Sequence, residues 1–225
     1  MNEQQVACKK CGNCCKKGGP ALHTADIDRV KNGEIALSSL ITIRKGELAY
    51  NPQSGKLQPV SVELVKIVGT GRQWDCCYYD ESVGCTIYEH RPLACRVLKC
   101  WDTSEILALV EKDTLSRFDI LDEDDPLVPV IHEHQRLCPS YDFQKYFIEK
   151  TDLTPVEKKK LEKMVREDLR FRTRVIEDFK LKLSQELFYF GRPLFQLLEP
   201  FGVKVTQTQM GVMLIWPKER QPVKK

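Results

Sequence analysis

Cys8-Lys9-Lys10-Cys11-Gly12-Asn13-Cys14-Cys15 is the stretch around which the rest of the chain is organised. Four cysteines fall within eight residues, and the C-x2-C step occurs twice in overlap. Such a step turns the backbone so that two thiolates face one ion while nearby N–H groups point at sulfur. Three thiolates on one turn suit three corners of a cubane iron–sulfur cluster with a remote fourth ligand. They also suit three positions of a tetrahedral zinc site. Gly12 lets the turn take a positive φ at low cost. Neighbouring side chains diverge, so one of Cys14 and Cys15 binds a second metal, bridges two metals or stays free. The same reasoning applies to Cys76 and Cys77.

A second group follows at Cys76, Cys77, Cys85, Cys95 and Cys100, with Cys138 as an outlier. Neither group alone offers a well-dispersed set of ligands, so the two are expected to meet around one metal centre. The start of the chain, Met1 to Val6, is polar, and no apolar run approaches the length of a membrane span. A reducing cytoplasm is therefore the expected compartment, where clustered cysteines bind metal rather than pair. With 225 residues, 42% hydrophobic and 30% charged, the chain is long enough for one substantial globular core. A net charge of +3 is too small to argue for nucleic acid.

Outward from the cysteines, Thr24, Asp26, Asp28 and Gly33 mark a short helix near 25–32. Residues 38–45 read as another short helix, 60–68 and 74–79 as strands, and 51–55 and 80–84 as turns. Arg91-Pro92 opens a helix that carries Cys95, and Thr103 caps a helix running to Lys112. The carboxylates from Asp119 to Asp125 read as a solvated loop, and 128–136 and 141–149 as helices. From Thr154-Pro155 onward, Leu161, Val165, Leu169, Ile176, Phe179, Leu183, Leu187 and Phe190 recur at helical spacing, interrupted by Arg172. One long amphipathic helix over 155–190 is the reading. Its segment 155–182 holds ten Lys/Arg against six Asp/Glu, and this charged side reads as a solvated face rather than an RNA-binding one. Residues 203–216 form a hairpin turning near Met210-Gly211, and 217–225 a disordered tail.

The fold class is thus α+β: a loop-rich metal-binding module over 1–150, then a helical extension with a C-terminal hairpin over 151–225. The apolar stripe of the long helix needs a surface, which the metal module, a partner protein or a second copy of the chain supplies.

With the second cysteine group in view, the sequence resembles the CxxCxxCC cysteine-cluster family of zinc- or iron-chelating proteins, which includes relatives of flagellin lysine N-methylase. The resemblance rests on Cys8-x2-Cys11-x2-Cys14-Cys15, Cys77-x7-Cys85 and Ile87-Tyr88-Glu89-His90-Arg91-Pro92-Leu93-Ala94-Cys95-Arg96. It implies metal ligation by Cys8, Cys11, Cys14, Cys15, Cys77, Cys85 and Cys95, with Cys138 in the place of an eighth cysteine. Cys76 and Cys100 look like additions. Where relatives carry Phe-Pro after the Cys-Arg step, this chain has Val97-Leu98-Lys99-Cys100. Arg91 and Arg96 are expected to support the bound group, because cations beside thiolates offset their charge. His90 is the best histidine candidate among His23, His90, His132 and His134. The expected cofactor is an iron–sulfur cluster or iron, serving redox or protein-modification chemistry. A structural zinc module that binds a partner protein is the alternative. No nucleotide or phosphate-loop fingerprint points to a particular enzyme activity.

Overall fold

The fold comes from a computed structural model that describes residues 5, 7–140, 153–208 and 211–217. Among the described residues, ten short strands pair into five separate two-stranded antiparallel sheets. Strand β1 (Leu40–Ile43) pairs with β4 (Leu64–Ile67), and β2 (Leu48–Asn51) with β3 (Lys56–Pro59). Then β5 (Gly69–Thr70) pairs with β6 (Asp75–Cys76), and β7 (Tyr79–Asp80) with β8 (Gly84–Cys85). The C-terminal hairpin is β9 (Lys204–Thr208) with β10 (Gly211–Ile215).

The helices are α1 (Ile27–Lys31), α2 (Leu93–Val97), α3 (Ser104–Ala108), α4 (Arg117–Ile120), α5 (Leu127–Leu137), α6 (Pro155–Phe179) and α7 (Glu186–Phe190). The α+β class holds, with its long helix and terminal hairpin. No helix among the described residues is long and apolar enough to cross a membrane.

Four local readings are corrected. Residues 74–79 are not one strand: β6 ends at Cys76, a turn follows, and β7 begins at Tyr79. Residues 38–45 are not a helix: Leu40–Ile43 is a strand whose four residues are all buried. Its β-branched Ile41, Thr42 and Ile43 suit a pleated ladder, and Leu40 faces Ile67 in register. The helix after Thr103 stops at Ala108, short of Lys112. The long helix ends at Phe179 rather than Phe190. Lys180 turns into the left-handed region (φ 51°), and Leu183 and Gln185 sit in a 3-10 turn before α7. The expected helix over 141–149, the turn at Met210 and the tail from 218 lie outside the described residues.

The start of α6 is local chemistry. The Thr154 hydroxyl accepts from the Glu157 N–H at 3.3 Å while the Glu157 carboxylate accepts from the Thr154 N–H at 2.9 Å, with Pro155 in the first turn. One face of α6 is buried through Leu161, Val165, Asp168, Phe171, Arg172 and Val175. Leu161 and Val165 pack with Leu48, Cys138, Leu194, Leu198 and Leu214. Phe171 and Val175 pack in a larger cluster with Leu22, Ile67, Cys76, Ile131, Phe188 and Phe190.

Arg172, the residue that breaks the apolar stripe, is the anchor of this face. It donates to Asp168 at 2.9 Å, to Glu186, and to the carbonyls of Phe190 and Gly191 at 3.0 Å. Gly191 turns the chain there (φ 67°), where a Cβ would press on the Thr42 carbonyl.

Candidate metal centre

Four stretches of chain bring thiols together. The 8–15 segment ends in a 3-10 turn, Cys15–Lys17, closed by the Lys16 N–H on the Gly12 carbonyl at 2.9 Å. Gly12 has φ 75°, and a Cβ there would collide with the Tyr79 ring, so only glycine fits this approach. Cys76 enters from β6, Cys85 from β8 and Cys95 from α2.

The Sγ atoms of Cys14 and Cys15 lie 4.0 Å apart. The Cys15 thiol is pushed up to about 12 by burial, then by Cys14, Cys76 and Cys85. Burial also pushes the Cys95 thiol up, reinforced by Cys76, Cys14, Cys15 and Cys85. Cys76 is raised too, first by burial and with Cys85 and Cys14 adding to it. Cys14, Cys15, Cys76, Cys85 and Cys95 are thus near enough to act on one another, although the donors that approach within 4.8 Å in a group of three among the described residues are His134, Cys138 and Asp168. Burial makes a charge on Cys15, Cys76 or Cys95 costly without a cation.

Of the residues expected to bind, Cys14, Cys15, Cys85 and Cys95 thus gather in one place. Cys8 and Cys11 stand exposed on the same segment, and the Lys10 N–H points at the Cys8 sulfur at 3.4 Å. Cys77 lies beside the cluster with its S–H towards the Ser39 carbonyl at 3.9 Å, its thiol raised to about 12 by burial and by Cys76. Cys138 sits elsewhere. It is buried within 4.8 Å of His134 and Asp168, between α5 and α6. Cys100 is exposed.

Cys76 is the member that the family resemblance set aside, where spacing left it and Cys77 open. Successive strand residues face opposite sides. Cys76 faces Gly69 in the β5–β6 ladder and turns inward, so its neighbour Cys77 points instead to the Ser39 carbonyl in the turn before β1. The vicinal pair announced this split; only the placement of the two faces decides which sulfur joins Cys15.

The supporting residues divide differently from expectation. Arg91 stacks on the Tyr88 ring, 3.5 Å from its centroid, while its Nε donates to the Tyr88 carbonyl at 2.7 Å. Lys10 also stacks on Tyr88, at 4.1 Å, which ties the cysteine loop to the Tyr-x2-Arg-Pro segment. Arg96 lies 3.9 Å from Asp26 rather than against sulfur. Asp26 itself is fully buried. Its Oδ1 accepts from the Leu93 N–H at 2.8 Å, capping the helix that carries Cys95, and its Oδ2 accepts from the His23 N–H at 3.0 Å. The sequence placed Asp26 only in the first turn of its own helix, because nothing local connects it to Leu93. His90 pairs with Glu34 at 3.1 Å. His132 stacks on Phe118, and the His23 Nδ1 meets the Lys112 carbonyl at 2.9 Å.

Residues 7–112 match the CxxCxxCC family model. Its description is "Putative zinc- or iron-chelating domain". The matched segment covers slightly less than half of the chain and contains every cysteine except Cys138. No curated protein and no solved structure matches the chain. The CxxCxxCC segment thus spans the α1–α3 region and all five sulfur atoms gathered between β6, β8 and α2.

The donor set fits such an ion. Soft sulfur donors suit both zinc and iron. Binding would replace thiol protons that burial otherwise holds tightly.

Proposed function

We propose that the CxxCxxCC segment holds iron on the thiolates of Cys14, Cys15, Cys76, Cys85 and Cys95, with Cys8 and Cys11 reaching in from the exposed part of their loop. The observation that carries this reading is the convergence of five thiols from four stretches of chain. A tetrahedral zinc ion needs at most four. Seven cysteines on these four stretches favour a cluster or a second ion. Bound iron–thiolate centres supply one-electron redox chemistry.

The chain's own part is to desolvate the sulfur atoms, to hold Cys95 through Asp26, and to place the charges of Lys10 and Arg91 on Tyr88 beside the loop. Redox or protein-modification chemistry is the use that follows from such a centre. Zinc remains the second reading, because four thiolates, those of Cys15, Cys76, Cys85 and Cys95, would satisfy one tetrahedral ion.

Purification without oxygen after growth with ample iron decides between them. Iron and sulfide in stoichiometric amount with visible absorption are expected. A colourless protein with one zinc and negligible iron overturns the iron assignment and leaves the structural module.

A further inference from the structure

The net charge of +3 conceals how charge is arranged on α6. Residues on an α-helix advance about 100° per position. Leu161, Val165, Asp168, Arg172 and Val175 mark the buried line, so the arc directly opposite carries Val156, Lys159, Lys163, Arg166, Arg170, Thr173 and Arg174. All of these are exposed. Five of them are cations, spaced four, three, four and four residues apart. By the same 100° step Glu167 stands as far from the centre of the arc as Thr173, so one carboxylate sits on its margin between Val156 and Arg174. Glu167 lies at its edge, bridged to Lys163 at 3.7 Å, and Glu177 closes it at the C-terminal end. Among the described residues, Lys159, Arg166, Arg170 and Arg174 form no ion pair.

A solvated helix face usually mixes signs at three- and four-residue spacing, since such pairs stabilise the helix. Here Lys163 alone has such a pair, with Glu167, and the other four cations have none among the described residues. Its five cations extend over about 22 Å of helix axis, the span of about six phosphates along one strand of a duplex. Three of the five are arginines, whose planar fork suits phosphate oxygens. The arc bears no aromatic side chain on which unpaired bases could stack, which disfavours a single strand. The major groove of B-form DNA is wide enough to admit a helix, whereas that of an A-form RNA duplex is deep and narrow.

We propose that the outward face of α6 is a docking surface for the phosphate backbone of double-stranded DNA. Contact is to phosphates, so binding is independent of sequence. Lys163, Arg166 and Arg170 form its centre, with Lys159 and Arg174 at the two ends.

The test uses the full-length, metal-loaded chain and a short fluorescein-labelled DNA duplex, read by anisotropy across salt. Affinity should fall on the order of a hundredfold between about 50 and 200 mM salt, as expected for roughly four phosphate contacts. The triple variant Lys163→Gln, Arg166→Gln, Arg170→Gln should keep its circular dichroism spectrum. It should lose about three units of the log–log salt slope and bind more than about tenfold more weakly at low salt. Lys31→Gln, on an exposed residue elsewhere, should bind as the parent does. No DNA binding at about 50 mM salt, an unchanged triple variant, or equal affinity for an RNA duplex each overturns the assignment. So does a salt-sensitive dimer that the triple variant abolishes without any DNA binding, which would make a second copy of the chain the occupant.

Discussion

The buried charge around α6 and the thiol cluster around Cys15 solve the same problem in opposite ways. Between α6 and the rest of the core lie four arginines, Arg44, Arg117, Arg172 and Arg192. Four carboxylates match them: Glu47, Glu63, Asp168 and Glu186. Arg44 meets Glu47 at 2.6 Å and Arg192 meets it at 2.9 Å, Arg117 meets Glu63 at 3.0 Å, and Arg172 spans Asp168 and Glu186. With His134 neutral, the charges cancel. The region closes its electrostatics with its own side chains. That closure also argues against a metal at His134, Cys138 and Asp168, because Asp168 is already filled by His134, Arg172 and the Leu194 N–H.

The thiol cluster has far fewer such partners: Lys66, itself held below the usual lysine range by burial and by Arg192, acts on Cys76. Arg91 and Lys10 lie on Tyr88, and Arg96 lies near Asp26. One buried lysine cannot balance several thiolates, so sulfur that must ionise there depends largely on a cation from outside the chain, whereas the arginine core does not.

The sharpest way to break this comparison is to strip the metal. Thiolate sites of this kind contribute on the order of 10 kcal/mol of apparent binding energy near neutral pH, comparable to the stability of a whole domain. Chelation should release amide protection over residues 8–100 first, while α5, α6 and α7 keep theirs. Hydrogen exchange on both forms measures it, and equal protection with and without metal would show that the cysteine region stands unaided. In the same assay Cys95→Ser should lose metal while Cys138→Ser keeps it.

The core should respond to its own charges instead. Arg172→Met leaves Asp168 buried beside the neutral His134 with no cation of its own. Breaking a buried pair in this way costs about 3–5 kcal/mol. Urea denaturation should show that loss, and metal per folded molecule should stay constant. A cost under about 1 kcal/mol would place Asp168 in reach of water.

A third effect separates the regions by pH. Burial holds His134 down to about 4, although its bond to Asp168 acts the other way. Protonation then favours the unfolded chain, where histidine titrates near 6.5. Stability from this site is complete above about pH 6.5 and is lost as pH falls towards 4, by about 3 kcal/mol. Asp168, held well below the usual carboxylate range by Arg172 and His134 against its own burial, adds loss of the same sign at still lower pH. His134→Phe should flatten the profile between pH 6.5 and 4.5. A profile that keeps its slope assigns the effect elsewhere.

The smallest effect expected is at the ring that ties the two cysteine segments. Tyr88→Ala removes the stacking of Lys10 and Arg91, each contact contributing about 0.5–1 kcal/mol. Metal affinity should fall several-fold and the cysteine loop should exchange faster. Tyr88→Phe keeps the aromatic face and should restore both. If Tyr88→Phe fails as badly as Tyr88→Ala, the hydroxyl and not the ring face is what matters.

The cysteine spacing, the Thr154-Pro155 helix start, the α5 segment and the terminal hairpin were all legible along the chain. Each is decided within a few residues by backbone geometry, capping or periodicity. The remainder depends on partners distant in sequence. Strand β1 exists because β4 pairs with it and α7 lies against it, with the Thr42 hydroxyl on the Phe188 carbonyl at 2.5 Å. Asp26 acts on a helix 67 positions away. Arg172 read as a flaw in an apolar stripe until Asp168, Glu186 and three carbonyls closed around it. Which of Cys76 and Cys77 joins Cys15, and that Cys138 lies with His134 instead, followed from the way the short sheets stack. A local pattern states what a residue can bind. Its burial, and hence the strength of its charge, is set only when the whole chain has excluded water around it.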